Sequence, residues 1–291
     1  MADTLKGRAN LHLHTYFSDG ELSPQQVIEA HRAAGFAAIA LTDHDTLAGL
    51  DAVSSRSDSL QIIPGVELSI EDEPERGLVD VHLLGYAFDA SSPQLRERLA
   101  LASQEREAQK RETVRRLNQA GLQLEWDEVR SRARGNVGKP HIVAALEARH
   151  PQVKREELYR MMGPGGPAHV PRAKDLKLEE AVQMIKEAGG VSVLAHPGVY
   201  HHVPDLEVLF NTTGTAGVDG LEVTYPQSPD DPYGPKTASL IQRFATIARR
   251  RGWIATGGDD FHGAAVTPKI RLAEWTLTPA SVVNELLARA A

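Results

Sequence analysis

The stretch Leu11–Gly20 reads LHLHTYFSDG. In it His12 and His14 alternate with Leu11 and Leu13. A β-strand sends successive side chains to opposite faces. The two leucines can then enter a core while both imidazoles point the same way. Asp19 follows in a Ser-Asp-Gly turn. Two imidazoles on one face and a carboxylate just past the strand form the start of a metal site. A His-X-His pair alone is also what a polar strand edge looks like, so the rest of the chain has to decide.

Six more apolar runs join Ala9–Leu13 as candidate buried strands of a parallel sheet. They are Phe36–Thr42, Gln61–Val66, Val79–Tyr86, Val191–Ala195, Asp219–Thr224 and Trp253–Gly258. Helical patterns lie between many of them. One starts at Ser23-Pro24, with proline at the first helical position, and ends before Gly35. Others cover about Leu178–Ala188, Lys236–Arg250 and Pro279–Ala290. Strands alternating with helices predict an α/β fold, open or closed.

Polar residues gather where these runs end. Asp43 and His44 follow FAAIALT, Glu67 follows QIIPGV, His196 follows VSVLA, and Asp259, Asp260 and His262 follow WIATGG; His82 lies within the fourth run. In an α/β barrel the C-terminal ends of the strands carry the active site. One such residue could be a helix cap, but the same placement on five strands points to chemistry.

The alternation breaks between Leu95 and Asp175. Leu95–Ala120 reads as a long, charged helix with a thin apolar stripe of Leu95, Leu99, Ala102 and Leu117, stopped by Gly121. A Gly/Pro-rich connector, MMGPGGPAHVP, closes the block. From 95 to 175 there are 17 Lys/Arg against 11 Asp/Glu, a balance of +6. The remainder holds 15 against 28, a balance of −13. A basic segment sits within an acidic frame.

The 291 residues suit one large barrel, or one domain with an insertion. Cysteine is absent, so there is no disulfide framework and no thiolate ligand. The cytoplasm is the default compartment. The opening MADTLKGRAN lacks the apolar core of a signal peptide, and no run is apolar enough to span a membrane. A net charge of −7 argues against general nucleic-acid or membrane-surface binding.

Taken together, LHLHTYFSDG, TDHDT, GVE, VHLLGY, AHP and GDDFHG, in that order from Asn10 to His262, resemble the PHP (polymerase and histidinol phosphatase) family. The resemblance implies a distorted (β/α)7 barrel over residues 8–94 and 176–291, with a helical insertion, or cap, at 95–175. It implies two or three divalent metal ions at the C-terminal face. One would take His12, His14, Glu67 and Asp260, and a second Asp19, His44 and His262. A third would share Glu67 with His82 and His196. Asp19, His44, Asp260 and His262 form the catalytic set. A mixed His/carboxylate shell favours manganese, with zinc, iron and magnesium as alternatives. Such metals would activate a water for displacement at phosphorus. Asp43 and Asp259 either orient ligands or cap turns.

The insertion supplies Arg134, Lys139 and His141 in RGNVGKPH, and Arg172 in HVPRAK, as candidates for a phosphate clamp. His201 and His202 are weaker candidates for a leaving-group acid. Tyr225 and Tyr233 either stack on a base or fill core. The resemblance is strongest to stand-alone phosphoesterases that hydrolyse the 3′-phosphate of nucleoside 3′,5′-bisphosphates. These are related to 5′-to-3′ exoribonucleases acting on short RNA. Histidinol-phosphate phosphatase ranks lower, because the insertion suggests recognition of more than one phosphate. The expected partner is therefore a nucleotide, with short RNA second. No membrane partner or DNA-binding module is expected.

Overall fold

The computed structural model describes residues 7–53, 56–57, 60–172, 176–228, 230–274 and 278–290. The start of the N-terminal stretch, and residues 173–175 at the end of the basic segment, lie outside them. The strands are β1 (Ala9–Asn10), β2 (Ala38–Leu41), β3 (Arg56–Ser57), β4 (Leu60–Ser69), β5 (His82–Tyr86), β6 (Val191–Leu194), β7 (Gly220–Thr224) and β8 (Ile254–Gly257). Seven run in the order β1-β2-β4-β5-β6-β7-β8, and β3 pairs antiparallel with β4 at its side. The ends meet beyond β1. Leu11 N donates to Gly257 O at 3.0 Å, Asp260 N to His12 O at 3.0 Å, and His14 N to Phe261 O at 3.3 Å. The seven strands therefore form a nearly closed barrel.

Two details depart from the sequence reading. First, β1 stops at Asn10, and His12 and His14 lie in the extended segment past it. The alternation still holds, since Leu11 and Leu13 are fully buried. Second, the sheet is mixed. β5 pairs antiparallel with both β4 and β6, with Ser69 opposite His82 and Leu83 opposite Leu194. A parallel strand needs a long crossover, usually a helix. The link from β4 to β5 holds only the short 3-10 turn Pro74–Arg76, so the chain turns back. Reversal puts the start of β5 at the barrel end where the other strands finish, and His82 is that first residue.

The helices are α1 (Pro24–Ala33), α2 (Ala48–Asp51), α3 (Pro93–Gln119), α4 (Trp126–Arg130), α5 (Lys139–Arg149), α6 (Arg155–Met162), α7 (Leu178–Glu187), α8 (Leu206–Thr215), α9 (Pro235–Arg251) and α10 (Ser281–Ala290). α1 begins as its sequence requires: Ser23 caps Gln26 N while Gln26 returns a bond to Ser23 N. The barrel interior is apolar, with Ala9, Leu11, Ala38, Ala40, Leu84, Tyr86 and Val193 in one buried cluster. Val283 and Leu286 of α10 join that cluster. The opposite faces of the strands pack on the outer helices, as Ile39 and Leu41 do on Val27 and Ile28. α3 to α6 enclose a core of their own, built from Val114, Leu117, Val129, Ile142, Val143, Leu146, Leu158 and Met162. Among the described residues no helix is long and apolar enough to cross a membrane.

Candidate metal centre

At the barrel end, nine side chains named from the sequence converge. His14, Asp19, His44 and His262 form one group whose nitrogen and oxygen atoms lie within 4.8 Å of one another. His12, His14, Glu67 and Asp260 form a second, and His44, Glu67 and His82 a third. His196 approaches the same carboxylate, its Nε2 2.9 Å from Glu67 Oε1. The expected division placed His196 with Glu67 and His82. In the structure His44 completes that trio.

The donors' local partners fix which atom faces inward. His12 Nδ1 donates to Glu222 at 3.0 Å. A carboxylate can only accept, so Nδ1 carries a proton and Nε2 is the atom that faces the centre. His14 Nδ1 lies 3.3 Å from Ser18 Oγ, which in turn donates to Asp43 at 2.6 Å. His262 Nδ1 donates to Asp260 O at 2.9 Å. Tyr225 donates to Asp260 Oδ2 at 2.8 Å, leaving Oδ1 for the centre. His82 is different. Arg172 Nη2 lies 2.9 Å from His82 Nε2, and a guanidinium can only donate. His82 therefore carries its proton on Nδ1, where it donates to Glu67 Oε1 at 2.8 Å.

The inward atoms are what a metal would satisfy. His12 Nε2, His14 Nε2, Asp19 Oδ1, His44 Nδ1, Glu67 Oε2 and Asp260 Oδ1 are all buried without a hydrogen-bond partner. Unpaired buried polar atoms are costly, and a cluster of them fits the shell of a bound ion. His14 Nε2 sits 3.0 Å from Asp260 Oδ1 and 3.1 Å from Glu67 Oε2. The donor set, all nitrogen and oxygen, suits divalent ions of the manganese or zinc kind. The electrostatics agree. Burial opposes ionisation of Glu67, Asp19 and Asp260, yet the surrounding imidazoles hold all three carboxyls below their usual range. Burial likewise opposes the charge on His262, but Asp260 and Asp19 push it up to about 9. Divalent cations would take over the role these protons play.

Backbone geometry serves the same centre. His196 and Asp260 have φ of 24° and 50°, a left-handed region that non-glycine residues rarely occupy and that clusters at functional sites. His196 N donates to Glu222 at 2.8 Å, so one buried carboxylate steadies both His12 and His196. Gly138 must be glycine, since a Cβ there would lie 2.1 Å from Asp19 Oδ2. Asp43 holds Thr15 N and Thr15 Oγ1, each at 2.8 Å, as well as Ser18. It therefore fixes the turn and, through Ser18, His14. Asp259 accepts a bond from Asn10 Nδ2 at 2.7 Å, and its backbone N donates to Asn10 Oδ1 at 3.0 Å.

A cavity of about 350 Å³ opens onto this cluster. It is lined by Asp19, His44, Glu67, His82, His196, Asp260 and His262 together with Arg106, Lys110, Lys139 and Arg172. Lys139 and Arg172 face the cavity as the sequence reading expected. Both pair with Asp80, at 2.8 and 2.9 Å. Arg134 and His141 do not line it; they lie in an adjoining cavity. Sequence reasoning missed Arg106 and Lys110, which project from the middle of α3. Arg106 is held by Asp45 at 3.0 Å. Lys110 has only the amide of Gln109, at 2.7 Å, and no carboxylate among the described residues. Burial, and then the charges of Arg106, Lys139 and Arg172, lower its pKa well below the ordinary value, with Asp80 opposing. Tyr225 is a brace for Asp260 rather than a platform. Tyr233 accepts a bond from Arg271 N. His202 lines the cavity, whereas His201 is exposed.

The family follows from comparison. The PHP domain model matches residues 10–188, so the chain belongs to the PHP domain family. The chain is 31% identical over 262 residues to a phosphoribosyl 1,2-cyclic phosphate 1,2-diphosphodiesterase of Eggerthella lenta, covering 87% of this chain and 94% of the relative. It is 31% identical to the 5′-3′ exoribonuclease Rnm of Salmonella typhimurium, over 94% of this chain and 90% of that one. A 3′,5′-nucleoside bisphosphate phosphatase of Chromobacterium violaceum is also 31% identical, over 87% and 86%. Among solved structures, an amidohydrolase from Chromobacterium violaceum, with bound sulfate and no metal, superposes with a TM-score of 0.81 at 29% identity, covering 97% of each chain. The chain is thus a hydrolase of the metal-dependent phosphoesterase class.

Proposed function

We propose that the chain hydrolyses the 3′-phosphate of nucleoside 3′,5′-bisphosphates, giving a nucleoside 5′-monophosphate and phosphate. One observation carries this reading. A single cavity joins a cluster of orphaned metal donors to a buried cationic wall with one uncompensated lysine. A single phosphate would need only the metals. A second one, beyond their reach, would meet an acidic barrel frame and so requires cations of its own.

In this reading His12, His14, Glu67 and Asp260 hold one divalent ion. Asp19, His44 and His262 would hold a second, and Glu67 and His196 would help to hold a third, which His82 could join only by giving up its bonds to Arg172 and Glu67. Manganese suits the set best. Bound there, the ions lower the pKa of a water toward neutrality and neutralise charge developing on the phosphoryl oxygens. The protein's own groups do the rest. Glu222, Ser18 and Tyr225 hold His12, His14 and Asp260 in their working orientations. The helical block over 95–175 acts as a cap. Its Lys110, Lys139 and Arg106, with Arg172, grip the 5′-phosphate by charge-assisted bonds. Tyr159, Pro140 and Val199 offer an apolar wall to the nucleoside between the two ends.

The test is a phosphate-release screen with manganese, over nucleoside 3′,5′-bisphosphates, nucleoside 3′-monophosphates, histidinol phosphate and a phosphoribosyl cyclic phosphate. The bisphosphate should be turned over best. Equal kcat/KM for the bisphosphate and the 3′-monophosphate would remove the cationic grip from the account.

A further inference from the structure

The two oxygens of Glu67 sit in different surroundings. Oε2 faces His12, His14 and His44 at 3.2, 3.1 and 3.1 Å and has no hydrogen-bond partner. Oε1 is approached twice, by His82 Nδ1 at 2.8 Å and by His196 Nε2 at 2.9 Å. His82 is satisfied at both nitrogens, because Arg172 Nη2 donates to its Nε2 at 2.9 Å. A neutral imidazole carries one proton. The nitrogen that holds an ion must be bare. With Nδ1 given to an ion, the proton moves to Nε2, where it meets the N–H of Arg172. Turning the ring over brings Nε2 inward and takes it from Arg172 all the same. His82 therefore cannot hold an ion and accept from Arg172 at once.

Arg172 has another place to go. It lines the cavity together with Lys110 and Lys139. A single nitrogen, Nη2, serves both His82 and Asp80, each at 2.9 Å. Asp80 keeps Lys139, at 2.8 Å, when Arg172 leaves. The backbone stays where it is: Arg172 N donates to Asp72 Oδ2 at 3.1 Å, and Asp72 N to Arg172 O at 2.8 Å. Rotation of the side chain alone thus exchanges its partners. A phosphate accepts from a guanidinium more strongly than a neutral imidazole does, and it can take both prongs of the fork.

We propose that Arg172 couples the two ends of the cavity: a phosphate on the cationic wall draws Arg172 from His82, and His82 then joins Glu67 and His196 in holding the third divalent ion. The proposal rests on the reading above, in which a second phosphate occupies the wall. Such coupling is reciprocal. The anion raises the affinity for the third ion, and the third ion raises the affinity for the anion by the same factor. The consequence is specificity. A bisphosphate releases His82 with one phosphate while the other reacts. A 3′-monophosphate offers Arg172 nothing, and His82 stays capped. The wall then acts on the completeness of the metal centre as well as on binding.

The test counts ions rather than turnover. The manganese-loaded enzyme is titrated with further manganese, and the free ion is followed by its electron paramagnetic resonance signal. Each titration is run with and without saturating adenosine 5′-monophosphate, which carries the 5′-phosphate but no 3′-phosphate. The wild type should bind the third ion about tenfold more tightly with the nucleotide present. Arg172→Met has no donor for His82, so it should bind the third ion that tightly without nucleotide and respond no further. His82→Ala should keep two ions and show no response. The wild-type and His82→Ala titrations decide the matter even if Arg172→Met does not fold. A response to nucleotide that persists in either variant would place the nucleotide directly on the ions and overturn the proposal. Nucleotide bound to the wild type, as seen by calorimetry, with manganese affinity unchanged would overturn the coupling and leave the reading of the wall in place. No binding of the nucleotide at all would sink that earlier reading, and the coupling with it.

Discussion

The metal donors at the barrel end and the cationic wall of Arg106, Lys110, Lys139 and Arg172 face the same cavity but are held in different ways. At the barrel end three of the donors are steadied by partners behind them: Glu222 for His12, Ser18 for His14, Tyr225 for Asp260. What remains unpaired points inward, and it has the chemistry of a cation's shell. On the wall the logic is reversed. Arg106, Lys139 and Arg172 are tethered by Asp45 and Asp80, and Lys110 is left over with its charge disfavoured. One side lacks positive charge and the other lacks negative charge. A phosphate ester carrying a second phosphate, with metals bound beneath it, supplies both.

The largest effect should come from breaking the barrel side. Asp260→Asn or His12→Ala removes an inward donor, and turnover should fall by several orders of magnitude, about 10³-fold or more. Elemental analysis should show less bound metal in each variant, and chelation of the wild type should abolish phosphate release. Full activity in chelator, with no metal in the purified protein, would end the metal account. Breaking the wall should cost less. A lost charge-assisted contact is worth roughly 1.5–3 kcal/mol, so Lys110→Ala should lower kcat/KM for a bisphosphate by about one to two orders of magnitude. The 3′-monophosphate should be spared. The same factor on both substrates would assign Lys110 to the reacting phosphate or to the fold.

The contrast also explains what the sequence made legible. The metal donors follow apolar runs, so the strands announce them, and an α/β fold could be read from the same runs, while closure into a seven-strand barrel was implied by the family resemblance. The antiparallel turn of β5 could not, because a buried strand looks alike in either direction. The wall was hidden by its own charge. Ala102, Arg106, Lys110, Thr113 and Leu117 continue one stripe of α3 at spacings of three and four, and all are buried. The apolar stripe looked thin because two cations occupy its middle. Glu222 left a fainter mark, as a carboxylate inside the run DGLEVT, where a buried strand has no other use for one.

Glu222 sharpens the comparison from within the barrel side. It touches His12 and His196 but is not among the clustered inward donors. Glu222→Gln keeps the shape and loses the charge that fixes the His12 tautomer. Removing such a partner typically costs 10–100-fold in metal affinity or activity, and the amide should sit near the low end, about tenfold. The metal titration should shift by that factor, while the ratio of bisphosphate to monophosphate kcat/KM stays constant. A change in that ratio would mean that the two sides are not separate devices.

The smallest effect is a pH dependence on the wall side. Burial disfavours the charge on Lys110; Arg106, Lys139 and Arg172 add their repulsion, and Asp80 opposes them. The folded pKa of Lys110 is lowered, so the unfolded chain binds more protons between the folded and unfolded values. Stability without ligand should therefore rise with pH across that window. Anion binding has the opposite sign. A bound dianion restores the ammonium, so binding draws a proton from solvent, and affinity should fall as pH rises through the same window, by at most about tenfold per pH unit. Inorganic sulfate is a suitable probe, because it does not itself titrate near neutrality. Calorimetry in buffers of different ionisation enthalpy should show net proton uptake on sulfate binding by the metal-loaded wild type. Lys110→Gln should abolish that uptake, and its sulfate affinity should be flat with pH. If the wild type and Lys110→Gln take up the same number of protons, Lys110 is already charged in the free enzyme, and anion binding does not recharge the wall.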